Sequence, residues 1–151
     1  MKVAVGFDHR GVRLREVVLT AVADAGHEAV DLGVDTDAVR VDYPNTAKAV
    51  GGAILDGTAE RGVLVCGSGA GVSIAASKIR GIRAAMCHDS YSAHQAVEHD
   101  DMNVLCLGSE IVGPSLAAEL VQRFLAATFV GEGRYLARLK MVEELEGLVD
   151  G

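Results

Sequence analysis

Short apolar runs alternate with helical repeats along the whole chain, and this alternation restricts the fold more than any other feature of the sequence. Lys2-Val-Ala-Val-Gly-Phe7 reads as a buried strand. Leu14, Val17, Val18, Ala21, Val22 and Ala25 then recur at helical spacing, and Gly26 ends them as a residue just past a helix does. A second strand is expected at Glu28–Leu32. A helix follows Pro44, a residue suited to a first helical turn, with Ala47, Val50, Ala53 and Ile54 inward. Further strands are expected at Gly62–Cys66, Ile82–Cys87 and Asn103–Leu107, and further helices at Ala70–Lys78, Ser90–His99, Pro114–Thr128 and Tyr135–Leu148. Strand and helix thus alternate five times, so the expected class is α/β, a parallel sheet covered by helices on both faces. Right-handed crossovers bring every strand C-terminus to one edge, where ligands bind in open sheets.

The 151 residues suit a single domain with one core. The last helix repeats Leu136, Leu139, Val142 and Leu145 after the turn at Gly131-Glu-Gly133. It lies beyond the fifth strand, so it is expected to pack on a partner subunit. With six aromatic residues and no tryptophan, the core must be built from Val, Leu, Ile and Ala.

A formal net charge of −7 argues against nucleic acid as a partner, although a small anion remains acceptable where cations gather locally. There is no apolar run of about 18 residues for a membrane span, and no signal-peptide pattern at the start. The three cysteines, Cys66, Cys87 and Cys106, lack CxxC spacing and sit in strand-like runs. A disulfide framework is not expected, and a reducing cytoplasm fits.

The strongest local signal is Val65-Cys66-Gly67-Ser68-Gly69-Ala70-Gly71-Val72, between a strand and a helix. Glycines let a backbone approach a ligand, and free N–H groups at a helix start hold a phosphate or an enediolate oxygen. The same residues also suit a plain tight turn. Cys66 ends the strand; N–H dipoles beside a thiol favour the thiolate, the form that acts as base or nucleophile. Taken alone, a cysteine ending an apolar strand is more often a small buried apolar side chain, the reading given to Cys87 and Cys106. Asp8-His9 arrives at the same sheet edge, and His99 ends a helix before Asp100 and Asp101. These groups suggest acid–base chemistry. His27, His88 and His94 read as surface residues, and no metal-ligand spacing occurs. Arg134 and Arg138, four apart, either clamp a phosphate or form a solvated helix face. A dinucleotide fingerprint fails at Val72, where its third glycine would stand, and the Walker lysine is absent.

The chain resembles the type B ribose-5-phosphate isomerases, a family shared with galactose-6-phosphate isomerase subunits. The resemblance runs through Gly6-Phe-Asp8-His9-Arg-Gly11, Asp42-Tyr43-Pro44, Val65 to Lys78, Gly81-Ile-Arg-Ala-Ala85, His99-Asp-Asp-Met-Asn-Val-Leu105, Gly108-Ser109 and Gly133-Arg134…Arg138. It implies a Rossmann-like sheet, a homodimer or dimer of dimers with sites at the subunit interface, a sugar phosphate as the small-molecule substrate, and no cofactor or metal. It implies that Cys66 carries a proton between C1 and C2, with Ser68 assisting. Backbone donors from Gly67, Gly69, Ala70 and Gly71 would hold the oxyanion. His99 from a partner would open the sugar ring with Asp8, and His9, Arg134 and Arg138 would hold the phosphate. Tyr43 and Asp100 would line the site. The expected reaction is between ribose 5-phosphate and ribulose 5-phosphate; erythrulose 4-phosphate, allose 6-phosphate or galactose 6-phosphate are alternatives, as is a non-catalytic phosphate-binding module. The chain departs from the family pattern at Asp100 (commonly Asn), Glu110 (often Arg), Thr46 (commonly Tyr), Tyr135 (commonly His) and Val97 (commonly Arg). The first two changes add negative charge and bear on the choice of sugar.

Overall fold

The structure, a computed structural model, describes residues 1–147. Five strands make one parallel sheet: β1 (Lys2–Phe7), β2 (Glu28–Asp31), β3 (Arg61–Cys66), β4 (Ala84–Met86) and β5 (Val104–Gly108). The helices are α1 (Arg15–Asp24), α2 (Tyr43–Leu55), α3 (Ala70–Ser77), α4 (Ser90–Asp100), α5 (Pro114–Ala126) and α6 (Gly133–Leu145), and a short 3-10 turn at Gly11–Leu14 precedes α1. Every expected element is present. Leu148, the expected end of the last helix, lies outside the described residues.

The apolar runs become the central strands because they are buried on both faces. In β1, β3 and β5 nearly every residue is inaccessible to solvent. One face packs Phe7, Leu105 and Leu107 against Leu14, Val18, Ala93, Leu120 and Phe124, which come from α1, α4, α5 and the turn before α1. The other packs Ala4, Leu64 and Cys106 against Ala47 and Val50 of α2 and Val72 and Ala76 of α3. The sheet is therefore covered on both sides, as the alternation requires.

Strand order is β2-β1-β3-β5-β4. β5, last in sequence, sits inside the sheet, and the three residues of β4 take the edge. The reason is composition: Val104, Leu105, Cys106 and Leu107 are wholly buried, while Ala84 and Ala85 are half-buried and Met86 is exposed. β4 is shorter than the expected Ile82–Cys87: at its start the Arg83 carbonyl still accepts the N–H groups of Asn103 and Val104, but the Arg83 N–H turns to a side chain. The Arg83 N–H donates to Asn103 Oδ1 over 2.7 Å, and its guanidinium donates to Asp101 O and Oδ2.

α6 rests on α4 through Leu139, its one buried residue. Val142 and Leu145 of the expected apolar stripe are 41% and 88% exposed. Among the described residues, no helix is long and apolar enough to cross a membrane.

Candidate active site

The connections reverse direction between β1 and β3. The chain leaves β1 for β2 on one side, then returns across to β3 on the other, and an open α/β sheet offers a crevice at such a switch point. Phe7 pairs with Val65, so the next residues, Asp8 and Cys66, emerge side by side. Asp8 is buried. Its Oδ1 accepts the N–H groups of Arg10 at 2.9 Å and Gly11 at 2.8 Å, which pins the turn after β1.

Cys66 is the last residue of β3, and the Gly69 N–H donates to its sulfur over 3.2 Å. The loop that allows this needs glycine. Gly69 has a φ of 80°, and a Cβ there would stand 2.9 Å from the carbonyl carbon of Leu107. Ser68 is exposed, and its Oγ accepts the Ala70 N–H at 3.2 Å. The first-turn N–H of Gly71, which lines the cavity over this loop, has no intrahelical acceptor and is available to an anion, whereas Val72 is wholly buried. The turn after β5 braces the loop from behind. Ser109 N–H donates to Cys66 O, Glu110 N–H to Gly67 O, and Ser109 Oγ to Arg10 O over 2.7 Å.

His88 adds a support that the sequence did not reveal. Its Nε2 accepts the Gly108 N–H at 3.0 Å, directly behind Ser68. Burial lowers its pKa and keeps it neutral, the form that accepts. The expectation that His27, His88 and His94 are surface residues is corrected: all three are half-buried. His27 bonds the N-terminal amine, and His94 Nδ1 is buried without a partner. Their positions follow from tertiary packing, which helical spacing alone does not encode.

A cavity of about 280 Å³ opens over this loop. It brings together Asp8, His9, Tyr43, Cys66, Gly67, Ser68 and Gly71. His9 Nδ1 lies 3.2 Å from Val41 N and 3.3 Å from Val41 O, so the backbone fixes its ring. Tyr43, at the start of α2, covers Gly71 with its ring. Gly69 and Ala70 belong to the same loop but do not line the cavity, their N–H groups going to Cys66 Sγ and Ser68 Oγ. Sequence reasoning missed Arg10, Arg40, Val41 and Asp42, which also line the cavity. The signal for Arg10 and Asp42 was their place inside the Gly6–Gly11 and Asp42–Pro44 runs.

His99, Asp100, Arg134 and Arg138 do not line this cavity. His99 packs on Tyr135 with ring centroids 4.7 Å apart, and the Arg134 guanidinium lies over the Tyr135 ring, 5.0 Å from its centroid. Glu98 joins the two imidazoles of α4: its carboxylate meets His94 Nε2 at 3.0 Å and His99 Nε2 at 3.4 Å. Arg138 is exposed one turn further along α6. Asp100 is exposed and lines a separate pocket with Arg83, Met102 and Val142. Glu110 pairs with Arg13 at 3.2 Å on the exposed surface. Val97 is a core residue and Thr46 is buried. All three thiols are free, and burial pushes Cys87 up to about 11 and Cys106 higher still, so neither serves as a base near neutral pH.

A thiol, a carboxylate and a row of backbone donors meeting at the switch point of a parallel sheet define an α/β enzyme site for a small anionic molecule. The model of the family described as Ribose/Galactose Isomerase matches residues 3–142. The chain is 39% identical over 145 residues to ribose-5-phosphate isomerase B of Escherichia coli, covering 96% of each protein. It is 37% identical to the D-erythrulose-4-phosphate isomerase of Pectobacterium atrosepticum, covering 88% of each. Among solved structures, the type B ribose 5-phosphate isomerase of Trypanosoma cruzi superposes with a TM-score of 0.94 at 37% identity, over 99% of this chain and 100% of that one. Ribose-5-phosphate isomerase B of Mycoplasma genitalium with bound ribulose-5-phosphate gives 0.89 at 32% identity, over 98% and 97%. The chain belongs to the ribose/galactose isomerase family.

Proposed function

We propose that this chain interconverts ribose 5-phosphate and ribulose 5-phosphate. The observation that carries the proposal is the position of Cys66, whose sulfur accepts an N–H from its own loop beside Asp8 and Ser68 in one cavity. The thiolate removes the proton from C2 of the open-chain aldose, and the electron pair moves to O1 as an enediolate. In the loop from Gly67 to Gly71 the N–H groups of Gly69 and Ala70 are taken by Cys66 Sγ and Ser68 Oγ, and the remaining backbone N–H groups stabilise that charge. The thiol returns its proton to C1 while the hydroxyl proton passes from O2 to O1, leaving a ketone at C2. Ser68 orients the reacting oxygens, and Asp8 meets the ring oxygens.

His99 opens the furanose as a general acid–base. It lies outside the cavity of its own chain, together with Tyr135 and Arg134, which supports its supply by a second copy. A homodimer, or a dimer of dimers, explains both this division and the exposed apolar residues of α6. His9 holds the phosphate from one chain, and Arg134 and Arg138 hold it from the other; Tyr43 lines the site. No cofactor takes part, and the free thiols suit a cytoplasmic enzyme.

The test is an isomerisation assay across pentose, tetrose and hexose phosphates with no added cofactor, with sedimentation of the same sample. The expected result is highest kcat/KM on ribose 5-phosphate by a species larger than one chain. Higher kcat/KM on erythrulose 4-phosphate or a hexose phosphate reassigns the substrate. Binding without turnover of any sugar phosphate removes the isomerase reading.

A further inference from the structure

The Cys66 cavity is lined by two arginines that the proposed mechanism leaves without a task. Arg10 lies directly against Gly67: a Cβ at Gly67 would stand 2.3 Å from Arg10 Cζ. Its backbone is held on both sides, the N–H by Asp8 Oδ1 and the carbonyl by Ser109 Oγ. The side chain is thus delivered to the cavity from a fixed base. Arg40 lines the same cavity, one residue before Val41, whose backbone holds the ring of His9.

Neither guanidinium is neutralised. Among the described residues Arg13 pairs with Glu110, Arg15 with Asp31 and Arg83 with Asp101, but Arg10 and Arg40 form no ion pair. Asp8 and Asp42 share the cavity, and neither forms an ion pair with Arg10 or Arg40. Glu110 also borders Gly67, through its N–H on Gly67 O, yet its carboxylate turns to Arg13. Asp8 Oδ1 is committed to two backbone amides. Two arginines without an ion pair lining one cavity make a seat for a dianion, because planar guanidinium forks match tetrahedral oxygens.

We infer that Arg10 and Arg40 bind the phosphate of the substrate from within the same chain as Cys66, flanking His9. The inference rests on the isomerase reading for the identity of the sugar, but not for the phosphate seat itself. The phosphate sits between the two arginines, and the carbon chain runs from there toward Cys66 and Ser68. Arg10 in addition requires glycine at position 67, since any side chain there displaces the guanidinium.

The experiment is calorimetric titration of the full chain with inorganic phosphate, for the wild type, Arg10→Gln, Arg40→Gln, the double variant and Arg10→Lys. Both arginines are exposed, so folding is checked simply by the melting temperature. Each glutamine variant is expected to weaken phosphate binding by at least about tenfold, the effect of one charge-assisted contact, with Arg10→Lys in between. In turnover, KM for ribose 5-phosphate rises while kcat holds. Unchanged phosphate affinity in the double variant overturns the inference. A fall in kcat with KM and phosphate affinity unmoved also overturns it, because Arg10 then serves the reacting carbons. Phosphate binding that depends on both arginines, in a protein that isomerises nothing, leaves this inference standing and removes the isomerase reading instead.

Discussion

The Gly69 N–H points at the sulfur of Cys66 across 3.2 Å, within a loop that only a residue of positive φ can close. Backbone conformation and thiol chemistry are therefore set by the same residue. Gly69→Ala is expected to cost about 1–2 kcal/mol for the left-handed conformation, with more from the crowding against Leu107. Activity should fall further than stability, because the donor to sulfur shifts with the loop. Melting curves and kcat measured on one preparation check this; an unchanged kcat would separate the loop from the chemistry.

His99→Asn is expected to impair ring opening and spare proton transfer. Ribulose 5-phosphate cannot close to a furanose through its phosphorylated oxygen, so it enters in open form. Solvent deuterium exchange at its C1 should persist in the variant while turnover of ribose 5-phosphate collapses. Glu98→Gln, which removes the carboxylate shared by His94 and His99, should lower turnover of the cyclic substrate in the same selective way. Equal loss on both substrates would give His99 another role.

The acidic departures from the family pattern should matter little for substrate choice. Glu110 is held by Arg13, and Asp100 faces a pocket away from Cys66. Glu110→Arg combined with Asp100→Asn is expected to change kcat/KM on ribose 5-phosphate by less than about tenfold, or roughly 1.4 kcal/mol. A gain of about a hundredfold or more, near 3 kcal/mol, would mean that the natural substrate is another sugar.

Acid should weaken the fold through two histidines. Burial lowers the pKa of His88, and burial followed by the N-terminal amine lowers that of His27. A depressed pKa means the unfolded chain binds the proton first, near the ordinary 6.5. The contribution is complete above that value and is lost as pH falls through it toward the folded value. His88→Gln keeps an acceptor for Gly108 without the titration. The drop in melting temperature between about pH 7 and pH 5 should therefore shrink in this variant; an identical drop assigns the effect elsewhere.

Much of this was legible in the sequence, and the exceptions have physical causes. The elements could be read because buried parallel strands are continuous apolar runs, and Cys66 with its glycines stood out as a strand-to-helix turn. The inward place of β5 could not be read from order alone; it follows from how the apolar content of Val104–Leu107 competes with that of Ala84–Met86. His88 looked peripheral because its bond to Gly108 joins the ends of two different strands. Arg10 stood inside a recognised run, but nothing local indicates that its side chain lies against Gly67. The separation of His99 from Cys66 is likewise a property of the folded surface.

The central claim is that Cys66 moves the proton, and Cys66→Ala tests it most directly. The side chain is small and buried, so alanine should fold normally, with a melting temperature close to that of the wild type. Loss of a required base costs about 10²–10⁴-fold or more in rate. The expected result is therefore a folded protein that still binds ribose 5-phosphate and shows neither isomerisation nor deuterium exchange at C1 of ribulose 5-phosphate. Turnover near the wild-type rate in folded Cys66→Ala would contradict the account.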